Sequence, residues 1–597
     1  MTYTATDWLY VVMPLLLYGA IVILLAVDGD HGRATNPIDI FFRRIASSLQ
    51  RLTGYPGWVM ASVLSGLHLL GMGLVGLYWD VAYHIDAGRD EQLLTPSHAM
   101  IVLALGGMLY TAGLAVVYAS MERAPVRLRL GALRFPWSAV VLATLGAGGL
   151  AGFPLDALWH EAYGIDVTLW SPTHLLLVGG GGLAPIALWL MLAEGRPPSR
   201  PTLLGRVIEV VVFGAILAGL SATLGEFEFG VPQFQVLYLP LLVAAAAGFA
   251  LVVARLALGP GGALKAVLAY VVLRGGVALV VGGALGHTVP LFPLYLGGAL
   301  AVEAVAWWLG TERRLRLAAV SGVAVGTLGL AGELPWAGLL DWFQPSATAP
   351  PEVVVLGPVA AVAAAVVAVG LGRVVPGGTG VGPVPVVAAL ATLVAVLAYP
   401  LPREVGQVEA VIRLRPAGTG AGEATVDVQL HPADAAEEAT GFGVVSWQGG
   451  GRVLGQLSQV APGRYVSSRP MPLWGTWKTM VGLQRGDEVM AAPIYLPADP
   501  DIGAAEVPAL PERRVAFVRN TEVLLRETHG GPAWPAAVSY AGLATVVAGW
   551  LALFWTTAVR LGSGAEAPAP PPPAPTRPGG RAEEARAGAA ATTGWYG

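Results

Sequence analysis

The chain has 597 residues, 55% of them hydrophobic and only 12% charged, with a formal net charge of −4. Soluble domains are about a quarter charged, so this composition points to a polytopic membrane protein whose first partner is the lipid bilayer, and nothing suggests a nucleic-acid partner. There is no cysteine, which excludes disulfides, cysteine-based zinc sites, iron–sulfur clusters and cysteine nucleophiles.

A helix crosses a bilayer in roughly 20 apolar residues. Such stretches are expected at 8–27, 57–79, 98–119, 137–159, 174–193, 207–225, 236–257, 265–286, 290–310, 315–332, 353–372, 384–401 and 536–559. The expected fold class is an all-α polytopic membrane protein of about 13 transmembrane helices, with an inserted β-sandwich before the last helix. Six segments follow: 1–56, a first span and cytoplasmic loop; 57–193, a duplicated helical unit; 194–402, further spans; 403–530, the sandwich; 531–561, the last span; and 562–597, a tail.

Basic residues fall in every second connection: Arg33, Arg43, Arg44 and Arg51; Arg123, Arg127, Arg129 and Arg134; Arg196, Arg200 and Arg206; Arg255 and Lys265; Arg313, Arg314 and Arg316; Arg373. The bias of Lys and Arg toward cytoplasmic loops puts the N-terminus outside a cell membrane and the tail inside. The intervening connections then face the extracytoplasmic side.

Two of those outer connections carry the same residues. Asp80, His84, Gly88, Asp90, Pro96 and His98 recur as Asp156, His160, Gly164, Asp166, Pro172 and His174. Asp80 and His84 are i and i+4, on one helix face. Thr95 before Pro96 reads as an N-cap with proline at the first helical position, which puts His98 in the first turn of the next helix. Ser171, Pro172 and His174 repeat this. Each copy offers one carboxylate and two imidazoles, a common set of ligands for copper, zinc or non-haem iron. The alternative is an Asp–Arg–His network that holds the loop. Arg89 and Asp90 supply it in the first copy, but Ile165 stands where Arg89 would recur.

Further along, His68 sits mid-span as a deeper ligand, a proton relay or a helix–helix hydrogen bond. Intramembrane ionisable groups are functional or paired. Glu226 and Glu228, at an outer span end, are candidates for a further site or a cation path. Arg274 and Glu303 are candidates to pair with each other. Between 403 and 530, period-two alternation such as Ala424 to Leu430 reads as strands, and His431 and Met471 there are soft enough for copper. The proline- and alanine-rich tail is expected to be disordered.

Asp80, His84, Arg89-Asp90, Thr95-Pro96-Ser97 and His98 resemble the copper-site motif in the C subunit of the copper-dependent membrane monooxygenases, over about residues 57–193. That family oxidises methane, ammonia and short alkanes, working with other membrane subunits and an electron donor. The resemblance implies copper on Asp80, His84 and His98. Asp156, His160 and His174 look like the family's second site, with Asp in place of Asn. Arg89, Asp90 and Asp166 would orient ligands from behind. More weakly, Pro462-Gly463-Arg464-Tyr465 and Trp474-Gly475-Thr476-Trp477 resemble small extracytoplasmic domains of copper-handling and oxidase-assembly proteins. Three functions stay open at this stage: oxidation of a small substrate with O2, copper transfer or oxidase assembly without turnover, and a transporter or scaffold with structural Asp/His pairs.

Overall fold

The computed structural model describes residues 4–27, 36–89, 92–165, 168–197, 199–231, 233–339, 350–375, 380–401, 405–417 and 422–564. The expected disordered tail lies outside the described residues from 565 onward. The helices are α1 (Ala5–Val27), α2 (Pro37–Thr53), α3 (Gly57–Asp86), α4 (Pro96–Met121), α5 (Trp137–Tyr163), α6 (Pro172–Glu194), α7 (Leu203–Ser221), α8 (Gly225–Glu228), α9 (Tyr238–Leu258), α10 (Gly262–Ala278), α11 (Leu296–Leu309), α12 (Arg314–Ala324), α13 (Leu334–Leu339), α14 (Val353–Leu371), α15 (Pro383–Ala398), α16 (Asn520–Leu524) and α17 (Ala533–Gly564).

Among the described residues, 11 helices are long and apolar enough to cross a membrane. Two expected spans fall short: α11 has 14 residues and α15 has 16, where roughly 20 are needed. At α11 proline is the reason. Pro290 and Pro293 keep the chain extended ahead of α11, since proline lacks the N–H that a helix interior requires. The carboxylate of Glu333 then takes the amides of Leu294 and Tyr295, at 2.8 and 2.6 Å.

Helices α3 to α6 pack as two neighbouring hairpins. Close approach rests on small residues, as is usual inside membranes. A Cβ at Gly76 would meet Met100 and the Ser97 carbonyl, and one at Gly180 would meet the Leu145 carbonyl.

The buried charges are paired, though not as expected. Arg274 bonds Glu228 at 2.7 Å with both side chains fully buried, and its guanidinium lies 3.7 Å over the Tyr78 ring. Glu303 instead pairs with Arg255 at 2.9 Å and accepts from the amides of Gly261 and Ala263 at the start of α10. Arg274 is about 17 Å further along α10 at ~1.5 Å per residue, beyond the reach of Glu303.

A short hairpin, β1 (Leu128–Leu130) and β2 (Leu133–Phe135), joins α4 to α5. The second domain contains β3 (Glu409–Pro416), β4 (Glu423–His431), β5 (Gly441–Trp447), β6 (Val453–Ala461), β7 (Arg464–Ser467), β8 (Met471–Pro472), β9 (Lys478–Arg485), β10 (Glu488–Tyr495), β11 (Glu512–Ala516) and β12 (Val518–Arg519). Their order is β11-β3-β4-β7-β6-β5-β9-β10-β12, with β8 on β4. Only Phe517 separates β11 from β12, so one run of chain pairs with β3 and then with β10. That run joins the two edges and closes the sheet into a barrel-like form around one core that includes Val426, Val428, Val481, Leu483 and Met490. The alternation points only to a β-sandwich because a period of two shows which face is buried, not which edges meet. Met471 pairs with Ala424 at one end of β4, and His431 lies at the other, about 23 Å away at ~3.3 Å per residue, so they share no site.

The barrel sits on the helix ends that carry the Asp/His motifs. The amide of Gln448 donates to the Ile85 carbonyl and that of Gly450 to the Asp86 carbonyl, each at 2.9 Å. Arg89 forks onto Asp499 at 2.6 and 2.9 Å and reaches Asp501 at 3.0 Å.

Two predictions follow from these ion pairs. Removing one partner of a buried pair costs about 3–5 kcal/mol, whereas apolar replacement of both costs much less. Arg274→Ala should therefore lower thermal stability in detergent well below that of the Arg274→Met/Glu228→Leu double variant; equal losses would show that the pair is not the cause. The second concerns pH. Hydrogen bonds from Arg89 hold the Asp499 carboxyl below the usual carboxylate range. Its contribution is thus complete above about pH 4 and is lost as pH falls through the lowered folded value. Hydrogen exchange of the 499–504 turn, corrected for intrinsic rate, should be flat from neutral pH down to about 4 and rise below it.

Candidate metal centre

Each Asp/His group forms where one helix ends and the next begins. The Thr95 hydroxyl caps α4, accepting from the amide of His98 at 3.2 Å. The Ser171 hydroxyl caps α6, accepting from the amide of His174 at 3.3 Å. In both cases Pro96 or Pro172 opens the helix and the histidine falls in the first turn. The last turns of α3 and α5 supply Asp80 with His84 and Asp156 with His160.

The donors converge. His84 Nε2 is 3.6 Å from Asp80 Oδ2, and His98 Nε2 is 3.1 Å from Asp80 Oδ1. In the second group His160 Nε2 and His174 Nε2 lie 3.5 and 3.3 Å from Asp156 Oδ2. Within each group one ligand atom per residue lies within 4.8 Å of the others. An ion 2.0–2.1 Å from each ligand holds those ligands about 3–3.5 Å apart, so both sets have the dimensions of a metal site.

The backs of the rings settle which nitrogen faces inward. His84 Nδ1 is 2.9 Å from the Gly88 carbonyl and His98 Nδ1 is 2.9 Å from the Leu93 carbonyl. His174 Nδ1 faces the Thr168 carbonyl at 2.5 Å. A carbonyl only accepts, so Nδ1 carries a proton and Nε2 faces the carboxylate, either protonated or with the inward lone pair of a ligating histidine. A lone pair against a carboxylate is repulsive unless a cation, a second proton or a metal ion, lies between them. Hydroxyls complete the carboxylates: Ser97 donates to Asp80 at 2.9 Å and Thr173 to Asp156 at 2.6 Å.

Both triads line one cavity of about 560 Å³. Its deeper wall is apolar, formed by residues such as Leu67, Leu70, Leu74, Leu105, Leu177 and Leu273, and its roof includes Trp447 and Gln448 of the barrel. Phe153 also lines it, edge-on to the His98 ring with centroids 5.9 Å apart.

The remaining candidates are placed as follows. Arg89 does not stand behind the first triad, because its guanidinium is taken by Asp499 and Asp501. Asp90 and Asp166 lie outside the described residues. His68 stacks flat on Tyr18, with centroids 4.5 Å apart, and is not among the cavity-lining residues. Glu228 is committed to Arg274. Glu226 lines the cavity, where it accepts from the Thr168 hydroxyl at 2.9 Å and from the amides of Leu169 and Gln233 at 3.2 and 3.3 Å. It thereby anchors the loop whose Thr168 carbonyl holds His174.

Sequence reasoning missed the carbonyls of Gly88, Leu93 and Thr168, which act through backbone and leave no residue signature. It also missed Gln448, whose side-chain amide reaches the His84 carbonyl at 3.4 Å from far along the chain. Asp86 was missed too. It accepts from the Thr288 amide at 2.8 Å and meets His287 Nδ1 at 3.0 Å.

No protein-family model matches the chain, and no curated protein or solved structure matches it.

Glu226→Ala strips the acceptor from the amides of Leu169 and Gln233. Hydrogen exchange should accelerate there by a factor on the order of 10, the equivalent of one ordinary hydrogen bond, with residues 92–98 unchanged. Equal protection in variant and parent would remove Glu226 as the anchor.

Proposed function

We propose that this chain is a plasma-membrane protein of about thirteen spans, counting the two short helices α11 and α15, that holds copper at one or both triads and oxidises a substrate bound in the adjoining cavity with O2. The observation that carries the reading is that two Asp/His/His sets of metal-site dimensions face the same largely apolar chamber. Imidazole and carboxylate donors suit copper, zinc and iron alike. The resemblance to the copper membrane monooxygenases selects copper, and with it further membrane subunits and an electron donor as partners. The arginine pattern supports an extracytoplasmic position for the triads and the barrel.

Copper would supply the redox chemistry with oxygen. The chain's own groups do the rest. Asp80 and Asp156 provide the negative charge that retains a cation. The carbonyls of Gly88, Leu93 and Thr168 fix the ring tautomer. The leucine-lined wall keeps water from the substrate side.

Two observations weigh against the other readings. A loop-holding Asp–Arg–His network needs Arg89, which is spent on the barrel. A copper carrier needs ready exchange, whereas the ligand side chains are only 13–25% exposed, beneath the barrel.

Elemental analysis of the purified protein tests the proposal. One equivalent of copper is expected per occupied triad, lost on His84→Ala, on His160→Ala, or one on each. Equal metal content in all three proteins would overturn it. Rapid stripping by a soluble chelator would favour the carrier.

A further inference from the structure

The chamber is far larger than a gas-sized substrate requires. A cavity of about 150 Å³ already accommodates benzene, and this one has about 560 Å³. It is also long. Its wall on α3 includes both His84 and Leu67, and Leu67 lies about 20 Å from Asp80 along the helix axis at ~1.5 Å per residue. A sphere of that volume would be only about 10 Å across, so a chamber reaching about 20 Å down α3 is elongated.

Polarity is sorted along the same axis. At the upper end are the two triads, Glu226, Gln233 and Gln448. From Leu74 down to Leu67 on α3, and at Pro185, Val211 and Ala215 opposite, the lining carries no polar side chain. Gly71 also lines this lower part, and a Cβ built there meets nothing within 4 Å, so the space beside it is open.

We infer that the chamber binds a linear aliphatic chain, its polar end at the triads and its tail running down to Leu67 and Pro185. The ligand class is a long-chain amphiphile with a small polar head. This names the substrate class for the site proposed above and rests on that reading for its chemistry, though not for the binding itself.

The test uses the full chain in detergent. A stearate spin-labelled near its tail serves as probe, and the immobilised component of its spectrum reports the bound fraction. Straight-chain 1-alkanols of increasing length then displace it. Displacement should strengthen about fourfold per methylene, as expected for burying each CH₂, and level off at a cut-off length. Gly71→Leu, which intrudes into the chute, should move the cut-off to shorter chains. Leu67→Ala, at the deep end, should move it to longer ones. The absence of an immobilised component, a smooth rise without a cut-off, or the same cut-off in all three proteins would overturn the inference. Copper is measured on the same samples, so absent metal counts against the copper reading while the alkanol series judges the chute.

Discussion

The triad end depends on a carboxylate set between two imidazoles. Because the outer nitrogens of His84 and His98 are committed to backbone carbonyls, the rings cannot turn to relieve a mismatch at Asp80. A second proton on each ring would put two imidazoliums against one carboxylate beside an apolar wall. A metal ion does the same electrostatic work with neutral rings. Burial therefore favours a cation, and the spacing of the donors is one that a metal ion could bridge.

The two triads share a chamber but are held from different directions. The loop behind the first is fastened to the barrel through Arg89 and Asp499, with Gln448 above the end of α3. The loop behind the second is fastened by Glu226, and it meets the last helix where Tyr540 donates to the Trp170 carbonyl at 3.1 Å. Alike in donors, the sites differ in what can loosen them. The barrel is thus not an appendage, since its 447–448 segment forms part of the chamber.

What could be read in the sequence was local. Asp80 and His84 one turn apart, Thr95 before Pro96, and Ser171 before Pro172 are each signals within a single turn, and each forms the geometry it implied. Most of the long apolar runs became long helices for the same reason. The failures involve choices made across the fold. Arg274 takes Glu228 rather than Glu303 because helix packing decides which charges meet. Arg89 goes to Asp499 because the barrel lands beside it. Closure of the sheet through Phe517 depends on two edges finding each other, which alternation along one strand cannot express.

The placement of charge completes the argument. Arg274 with Glu228, and Arg255 with Glu303, neutralise one another behind the helices, and none of the four lines the chamber. Charges left facing it would stabilise water there and weaken the preference for an apolar guest. With those charges removed, the wall offers almost no competing field, and electrostatic interactions strengthen as the surroundings become less polar. The same desolvation that makes the chamber hospitable to hydrocarbon makes Asp80 and Asp156 demand a cation. On the proposed reading, metal retention and affinity for an apolar guest thus share one physical cause.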